Sequence, residues 1–463
     1  MIVQRANEIG GMSKIEEQEK SQTRLRILTD ALHSGTITPI RMMLNDLHPA
    51  EISHLLEALP PHQRIIVWEL VDPDLEGDIL VDVNDEVRSG LIREMTPDDL
   101  IAATEGLDTD DLADILNDLP DTVIQQVLQS MDSQNRHILE QVLLYPEDSA
   151  GGLMNTDTIT VRADVTLDVV LRFLRLKGNI PELTDALIVI NRFDKYLGLL
   201  PLTDLLTRDP ATTVAEVMTA DMEAISVDTP ATEVASLFEH RDLISAPVTD
   251  ETGRLLGRIT IDDVVDVIRD EAEHSLMSMA GLGEEEDMFA PVITSTRRRA
   301  VWLGVNLLTA FIASWVIGLF QGTIEQVVAL AVLMPIVASM GGVAGSQTLT
   351  LTIRGIATGQ ISSVNAPWLL AKEVAVGFLN GTIWAVVIAS IAVYWFGNTQ
   401  IGYVIAAAIF INMICAALAG ITLPLLLRRI GIDPALAGTV VLTTVTDVVG
   451  FMAFLGLASL VIL

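Results

Sequence analysis

ALAGTVVLTTVTDVVGFMAFLGLASLVIL, residues 435–463, holds a single ionisable side chain, Asp447, in 29 residues. At 1.5 Å per helical residue the stretch is roughly 43 Å long, enough to cross a bilayer core of about 30 Å. Asp447 then falls near mid-depth, where a carboxylate is rare and faces a water-filled path or a partner. Thr443 and Thr444 precede it by one turn and Gly450 follows by one turn, so a small, polar stripe shares its face. A buried interhelical hydrogen bond would also use an acid there. The stripe favours a cation site inside a pore.

Charge is divided along the chain in keeping with that reading. The 463 residues carry 28 Lys+Arg and 61 Asp+Glu, a net charge of −33. From Arg297 onward there are seven basic residues (Arg297, Arg298, Arg299, Arg354, Lys372, Arg428, Arg429) and four acidic ones (Glu325, Glu373, Asp433, Asp447). The first 296 residues therefore hold 21 basic and 57 acidic groups, net −36. A soluble, acidic front is joined to a nearly uncharged membrane back. The first thirty residues have no apolar core, as expected of an end that stays in the cytoplasm. Cys415 is the only cysteine and lies in an apolar segment, so it forms no intrachain disulfide or cysteine metal cluster. The seven histidines show no HExxH-like spacing, and no Walker loop, GxSxG elbow or dinucleotide fingerprint occurs. No motif argues for an enzyme, and no nucleic-acid partner is expected.

Five spans are expected, at about 300–320, 327–352, 367–396, 402–427 and 435–463. Arg297–Arg299 precede the first, Arg354 and Lys372 lie between the second and third, and Arg428 and Arg429 between the fourth and fifth. The other two loops have no Lys or Arg, so every basic residue falls on the side of the N-terminal region: the cytoplasm, with the C-terminus outside. The second span reads MPIVASMGGVAGSQTLTLT from Met334. Its proline and glycines loosen a helix and allow close approach, and its Ser/Gln/Thr run suits an aqueous path better than lipid. Asn306, Asn380 and Asn412 are single polar residues in the other spans, equally suited to interhelical bonding and pore lining. Five spans without an inverted repeat point to a site built on a two-fold axis, where a homodimer brings two Asp447 carboxylates toward one pore.

The front contains two repeats. Residues 47–72 and 107–132 align at an offset of 60, matching leucines 47/107, 56/116 and 59/119 and prolines 60/120. Apolar residues recur at helical spacing with Asp or Pro at the starts, which predicts a small α-solenoid. The segments Met154–Leu206 and Met218–Ile268 each run through a strand, a Thr-capped helix, an apolar strand, then Gly…Asp into a helix. Gly257, Thr260 and Asp263 form the G-x-x-T-x-x-D signature of the cystathionine-β-synthase (CBS) pair, a β-α-β sensor fold; the first copy has Gly198 and Asp204 with Pro201 in the Thr position. In that fold Thr260 and Asp263 are the positions that hold an adenine nucleotide such as ATP.

The whole chain resembles the MgtE family of magnesium channels. The resemblance rests on YPEDSAGGLM (145–154), DDVVDVIRDEAE (262–273), PIVASMGGVAGSQ (335–347) and the Asp447 segment. It implies a multi-domain fold: an acidic α-solenoid N-terminal domain (1–148), an α/β CBS-pair domain (149–271), a connecting helix (272–296, roughly Ala272–Ser295) and an all-α five-helix transmembrane domain (297–463). The implied function is that of a homodimeric Mg²⁺-selective channel of the plasma membrane, closed when cytosolic Mg²⁺ is plentiful. By matching motif, Asp447 is the pore carboxylate, with Thr443 and Gly450 as flanking backbone positions. Asp263, Asp266 and Glu271 are the regulatory acids, and Asp242 and Asp110 are weaker matches. The family's Thr-Glu-Asp just beyond is Glu-His-Ser here, and Val343 stands where its GGN motif has Asn.

Elementary chemistry agrees with the resemblance. Mg²⁺ wants six oxygens and dehydrates reluctantly, so one carboxylate and backbone carbonyls can hold it through its waters. Two carboxylates 5 Å apart in water repel by roughly 0.8 kcal/mol, and a bridging Mg²⁺ relieves many such pairs in the front. Three other functions share this build. A channel for Co²⁺, Mn²⁺ or Ni²⁺ is separated by competition uptake. A non-conducting nucleotide receptor has no use for Asp447, and an ion-coupled transporter would lose uptake with the coupling gradient.

Overall fold

The computed structural model describes residues 20, 22–105, 107–117, 119, 121–131, 133–282, 287–362 and 364–462. The chain divides into two units, Met1–Ala272 with Glu285–Ala290 and Glu273–Glu284 with Pro291–Leu463.

The first unit opens with short helices: α1 (22–34), α2 (Ile37–Leu44), α3 (Pro49–Glu57), α4 (Pro61–Trp68), α5 (Glu76–Asp82), α6 (Asp85–Ile92), α7 (Pro97–Ala103), α8 (Thr109–Asn117), α9 (Asp121–Ser130) and α10 (Ser133–Val142). Proline opens α3, α4 and α7, where its missing N–H is not needed and its φ is already helical. Side chains of His48, Asn84 and Thr96 cap the starts of α3, α6 and α7. The offset of 60 holds in the helices: α3 corresponds to α8 and α4 to α9. Leu47, Leu56, Leu59, Leu116 and Leu119 of the matched pairs are all buried. Pro120, the partner of Pro60, lies outside the described residues.

Two α/β segments follow. The first has β1 (Thr160–Arg162), α11 (Leu167–Lys177), β2 (Ala186–Ile190), β3 (Tyr196–Pro201) and α12 (Leu202–Thr207). The second has α13 (Val214–Val217), β4 (Ile225–Ser226), α14 (Ala231–Arg241), β5 (Ser245–Thr249), β6 (Leu255–Thr260) and α15 (Ile261–Met279). Each sheet pairs its first two strands in parallel and its last two antiparallel. Ala186 faces Pro201 in one sheet and Ser245 faces Thr260 in the other, so Pro201 and Thr260 occupy equivalent places. One apolar core runs from the helices (Leu28, Ile52, Leu116) into the second sheet (Val248, Ile259) and the start of α15 (Val264); the first sheet has its own. That shared core fixes the start of α15 against the α8 region.

The connecting segment differs from expectation. α15 stops at Met279 and the next helix begins at Val292, in place of one helix over 272–295. Gly281, at φ +72°, turns the chain, and the Leu282 N–H closes the helix end on the Met277 carbonyl.

The second unit is built from α16 (Val292–Gly318), α17 (Gln321–Gln326), α18 (Ala329–Ala357), α19 (Ala366–Phe396), α20 (Thr399–Arg429) and α21 (Pro434–Val461). Five of these, all but α17, are long and apolar enough to cross a membrane. α16 starts earlier than the hydropathy suggests and carries Arg297–Arg299 in its second turn, because Pro291 sets the N-cap and no helix breaker follows until Gly304. α20 is the most enclosed and packs against α18, α19 and α21. Close approach comes from small residues, as where Gly377 meets Ala417 and Gly420 meets Thr348. Pro335 and Pro424 sit inside continuous helices.

Candidate cation sites

α18 and α21 together line an open groove. Ser339, Gly342, Val343, Ser346, Gln347, Thr350 and Leu351 come from α18, at spacings of three and four that place them on one helix face. Thr443 and Asp447 come from α21, one turn apart. The open groove has a volume of about 920 Å³. Six waters need about 180 Å³ at roughly 30 Å³ each, so a hydrated cation fits without losing its shell. Asp447 is the only charged group in the lining, and its carboxylate has no hydrogen-bond or ion-pair partner among the described residues. The hydroxyl of Thr443 is turned back onto the Thr439 and Val440 carbonyls (3.0 and 3.1 Å), leaving the Asp447 oxygens as the strong ligands of the wall.

The structure divides the polar run of the second span between two faces. Ser346, Gln347 and Thr350 enter the groove. Thr348 and Thr352 are buried on the other face, where the Thr348 hydroxyl donates to Glu373 Oε2 at 3.2 Å and Lys372 Nζ meets Glu373 Oε1 at 2.7 Å. Gly450 also departs from expectation. It does not line the groove; a Cβ there would lie 2.7 Å from the Asn412 amide nitrogen, so packing against α20 is what demands glycine. Asn412 itself is buried and donates to the Val337 carbonyl at 2.9 Å. Val343, exposed in the groove, presents methyl groups to the path.

A second site lies where α8 and α15 begin. Ligand oxygens of Asp108, Asp110 and Asp111 lie within 4.8 Å of one another. Acids gather at a helix start because the unpaired N–H groups and the dipole favour negative charge, but here burial works against them. Asp110 is buried, its Oδ1 has no hydrogen-bond partner, and burial followed by Asp263, Asp111 and Asp108 pushes its pKa up to about 9. Burial, then Asp108 and Asp262, pushes Asp111 up to about 7. Asp263 is raised to about 7 by burial and Asp262, against the lowering effect of the Thr260 hydroxyl, which donates to its Oδ2 at 3.0 Å. Asp110, Asp111 and Asp263, each largely withdrawn from water, thus crowd like charges together, an arrangement a divalent cation would satisfy.

Of the acids expected in a regulatory site, the structure brings Asp110 and Asp263 together. Asp266 is exposed and paired with Arg269 at 3.1 Å. Glu271 is exposed farther along α15, and Asp242 is the exposed left-handed C-cap of α14 (φ 51°). Asp108 and Asp111 join the cluster without a distinctive sequence signal, since the acidic run LDTDDLAD at 107–114 reads equally well as an ordinary helix start. Thr260 and Asp263, the expected nucleotide pair, are bonded to each other with Asp263 turned into the acid cluster. Between the two sheets, buried Arg258 donates to the Glu182 and Leu183 carbonyls and the Thr184 hydroxyl, and its Nε is unpaired.

Three family models match the chain. The model of a divalent cation transporter domain (MgtE) matches residues 334–457, that of the MgtE intracellular N domain matches 47–148, and CBS domains match 150–210 and 214–270. The chain is 31% identical to the magnesium transporter MgtE of Thermus thermophilus over 94% of this chain and 98% of that protein. It is 27% identical to the magnesium transporter MgtE of Bacillus subtilis over 94% and 96%. Among solved structures it is similar to the cytosolic domain of the Mg²⁺ channel MgtE in complex with ATP, with 34% identity, 52% of this chain and 98% of that chain covered, and a TM-score of 0.47.

Proposed function

The chain belongs to the MgtE family of divalent cation transporters, and from that membership we propose that it is a Mg²⁺-selective channel which closes when cytosolic Mg²⁺ occupies its acid cluster. The observation that carries the proposal is the unpartnered Asp447 carboxylate in the groove between α18 and α21. Mg²⁺ passes there with its waters held, attracted by one charge and released because no protein oxygen replaces its shell. The groove is open on one side, and a second copy of the chain supplies the opposite wall in a homodimer on a two-fold axis. The membrane is the plasma membrane, with the basic ends of the helices and the N-terminus in the cytoplasm and the C-terminus outside.

Regulation follows from the cluster of Asp108, Asp110, Asp111 and Asp263. Without Mg²⁺ these acids repel or hold protons; with it they become ligands and draw the start of α8 to the start of α15. ATP is a second regulatory ligand in this reading. The unpaired Nε of Arg258 suits an anionic group, but only about 10 Å³ is open beside it, so Arg258 must swing aside for a nucleotide to enter. Patch-clamp of the reconstituted protein, with Mg²⁺ varied on the cytoplasmic face, tests the whole. Mg²⁺ current that falls as cytoplasmic Mg²⁺ rises supports it, and a membrane that carries no Mg²⁺ current at any concentration refutes it.

A further inference from the structure

Asn412 is 1% exposed, deep in the membrane unit where α20 meets α18 and α21. Its Nδ2 donates to the Val337 carbonyl of α18 at 2.9 Å, and its Oδ1 has no partner. The amide lies in a slot that two glycines leave open. A Cβ on Gly341 would come within 2.2 Å of Nδ2, and one on Gly450 within 2.7 Å. Gly341 belongs to α18 and is followed by the groove residues Gly342 and Val343; Gly450 belongs to α21, one turn past Asp447. The amide therefore touches both helices that form the groove, from behind.

Stability alone does not account for an amide at this place. An unpaired buried acceptor costs free energy, and an apolar side chain of the same branching, such as leucine, would occupy the slot without it. What leucine cannot supply is direction. The bond to Val337 ties α20 to α18 two residues after Pro335, whose missing N–H leaves the Ala331 carbonyl without its helical donor. Pinning α18 there fixes how far Ser339 and Val343 stand from the Asp447 carboxylate.

We propose that Asn412 is a positioning residue for ion selection: its amide sets the width of the groove at Asp447 and so decides which hydrated cation passes. The inference rests on the reading of the groove as the ion path. A small, strongly hydrated ion is distinguished from a larger one by the space left for its water shell, so a loosened wall admits Ca²⁺ beside Mg²⁺.

The test compares Mg²⁺ and Ca²⁺ uptake into liposomes holding the full chain as wild type, Asn412→Leu, Gly341→Ala and Asp447→Ala. Asn412→Leu keeps the branching and number of side-chain heavy atoms and removes the donor. Gly341→Ala keeps Asn412 and displaces its amide. In both, the Mg²⁺/Ca²⁺ uptake ratio is expected to fall by about tenfold, the weight of one buried hydrogen bond, while total divalent uptake persists. A merely structural role lowers both fluxes in proportion and leaves the ratio unmoved; that result in either variant overturns the proposal. Asp447→Ala separates the two readings, since uptake that survives it refutes the ion path whatever the ratio does.

Discussion

Asp110→Asn is expected to make the protein more stable and less responsive to Mg²⁺. Asp110 holds its proton up to a pKa of about 9 in the folded chain, whereas an unfolded Asp ionises near 3.8. Between those values the unfolded state has lost a proton that the folded state keeps, so stability falls as pH rises from about 4 toward 9. By pH 7 some three units of that window have been crossed, an upper bound of about 4 kcal/mol, which Asp111 and Asp263 share with it. Asn is neutral at every pH and removes the loss, so the Mg²⁺-free protein should melt higher. Mg²⁺ binding moves the other way, because the ion must displace protons from its ligands. With Asp110 near 9 and Asp111 and Asp263 near 7, affinity in the wild type should rise from pH 6 to pH 8, by up to about 100-fold through Asp110. In Asp110→Asn the rise shrinks and the Mg²⁺ midpoint moves up at pH 8. Scanning calorimetry without Mg²⁺ reads the first effect, and protease protection against Mg²⁺ at pH 6, 7 and 8 reads the second. A wild-type midpoint that ignores pH, or an Asn variant that melts lower without Mg²⁺, would refute the reasoning.

Asp447→Ala should abolish Mg²⁺ uptake with an unchanged gel-filtration profile, and Asp447→Asn should impair it strongly; normal flux in either removes Asp447 from the path. Asp263→Asn should raise the Mg²⁺ concentration that protects the soluble part from protease, whereas Glu271→Gln, exposed and away from the cluster, should not. Equal shifts in the two would mean that overall charge, not ligation, sets the midpoint. Removing residues 1–272 should leave a channel whose current no longer declines with cytoplasmic Mg²⁺, and persistent inhibition would place the sensor in the membrane unit.

What the sequence disclosed and what it withheld follow from how far each signal reaches. The spans, the 60-residue repeat and the two α/β segments depend on local periodicity, and α3/α8, α4/α9 and the two sheets appear where that pattern puts them. Span ends were less legible, because a helix continues past the apolar stretch until a breaker stops it; α16 gained Val292–Arg299 in this way. The acid cluster joins residues 108–111 to 262 and 263, which no window along the chain can see. Gly450 shares a helix face with Asp447 along the sequence, yet the side-chain atom nearest to it belongs to Asn412 of another helix.

The slot around Asn412 also limits how this sequence can drift. A single change at Gly341 or Gly450 to any larger residue collides with the amide, so both glycines are held for as long as the asparagine is. Three positions on three helices are therefore inherited as one. A lineage that gave up the asparagine would be released to fill both glycines, so divergence among relatives should show at these sites as joint replacement and not as scattered single substitutions.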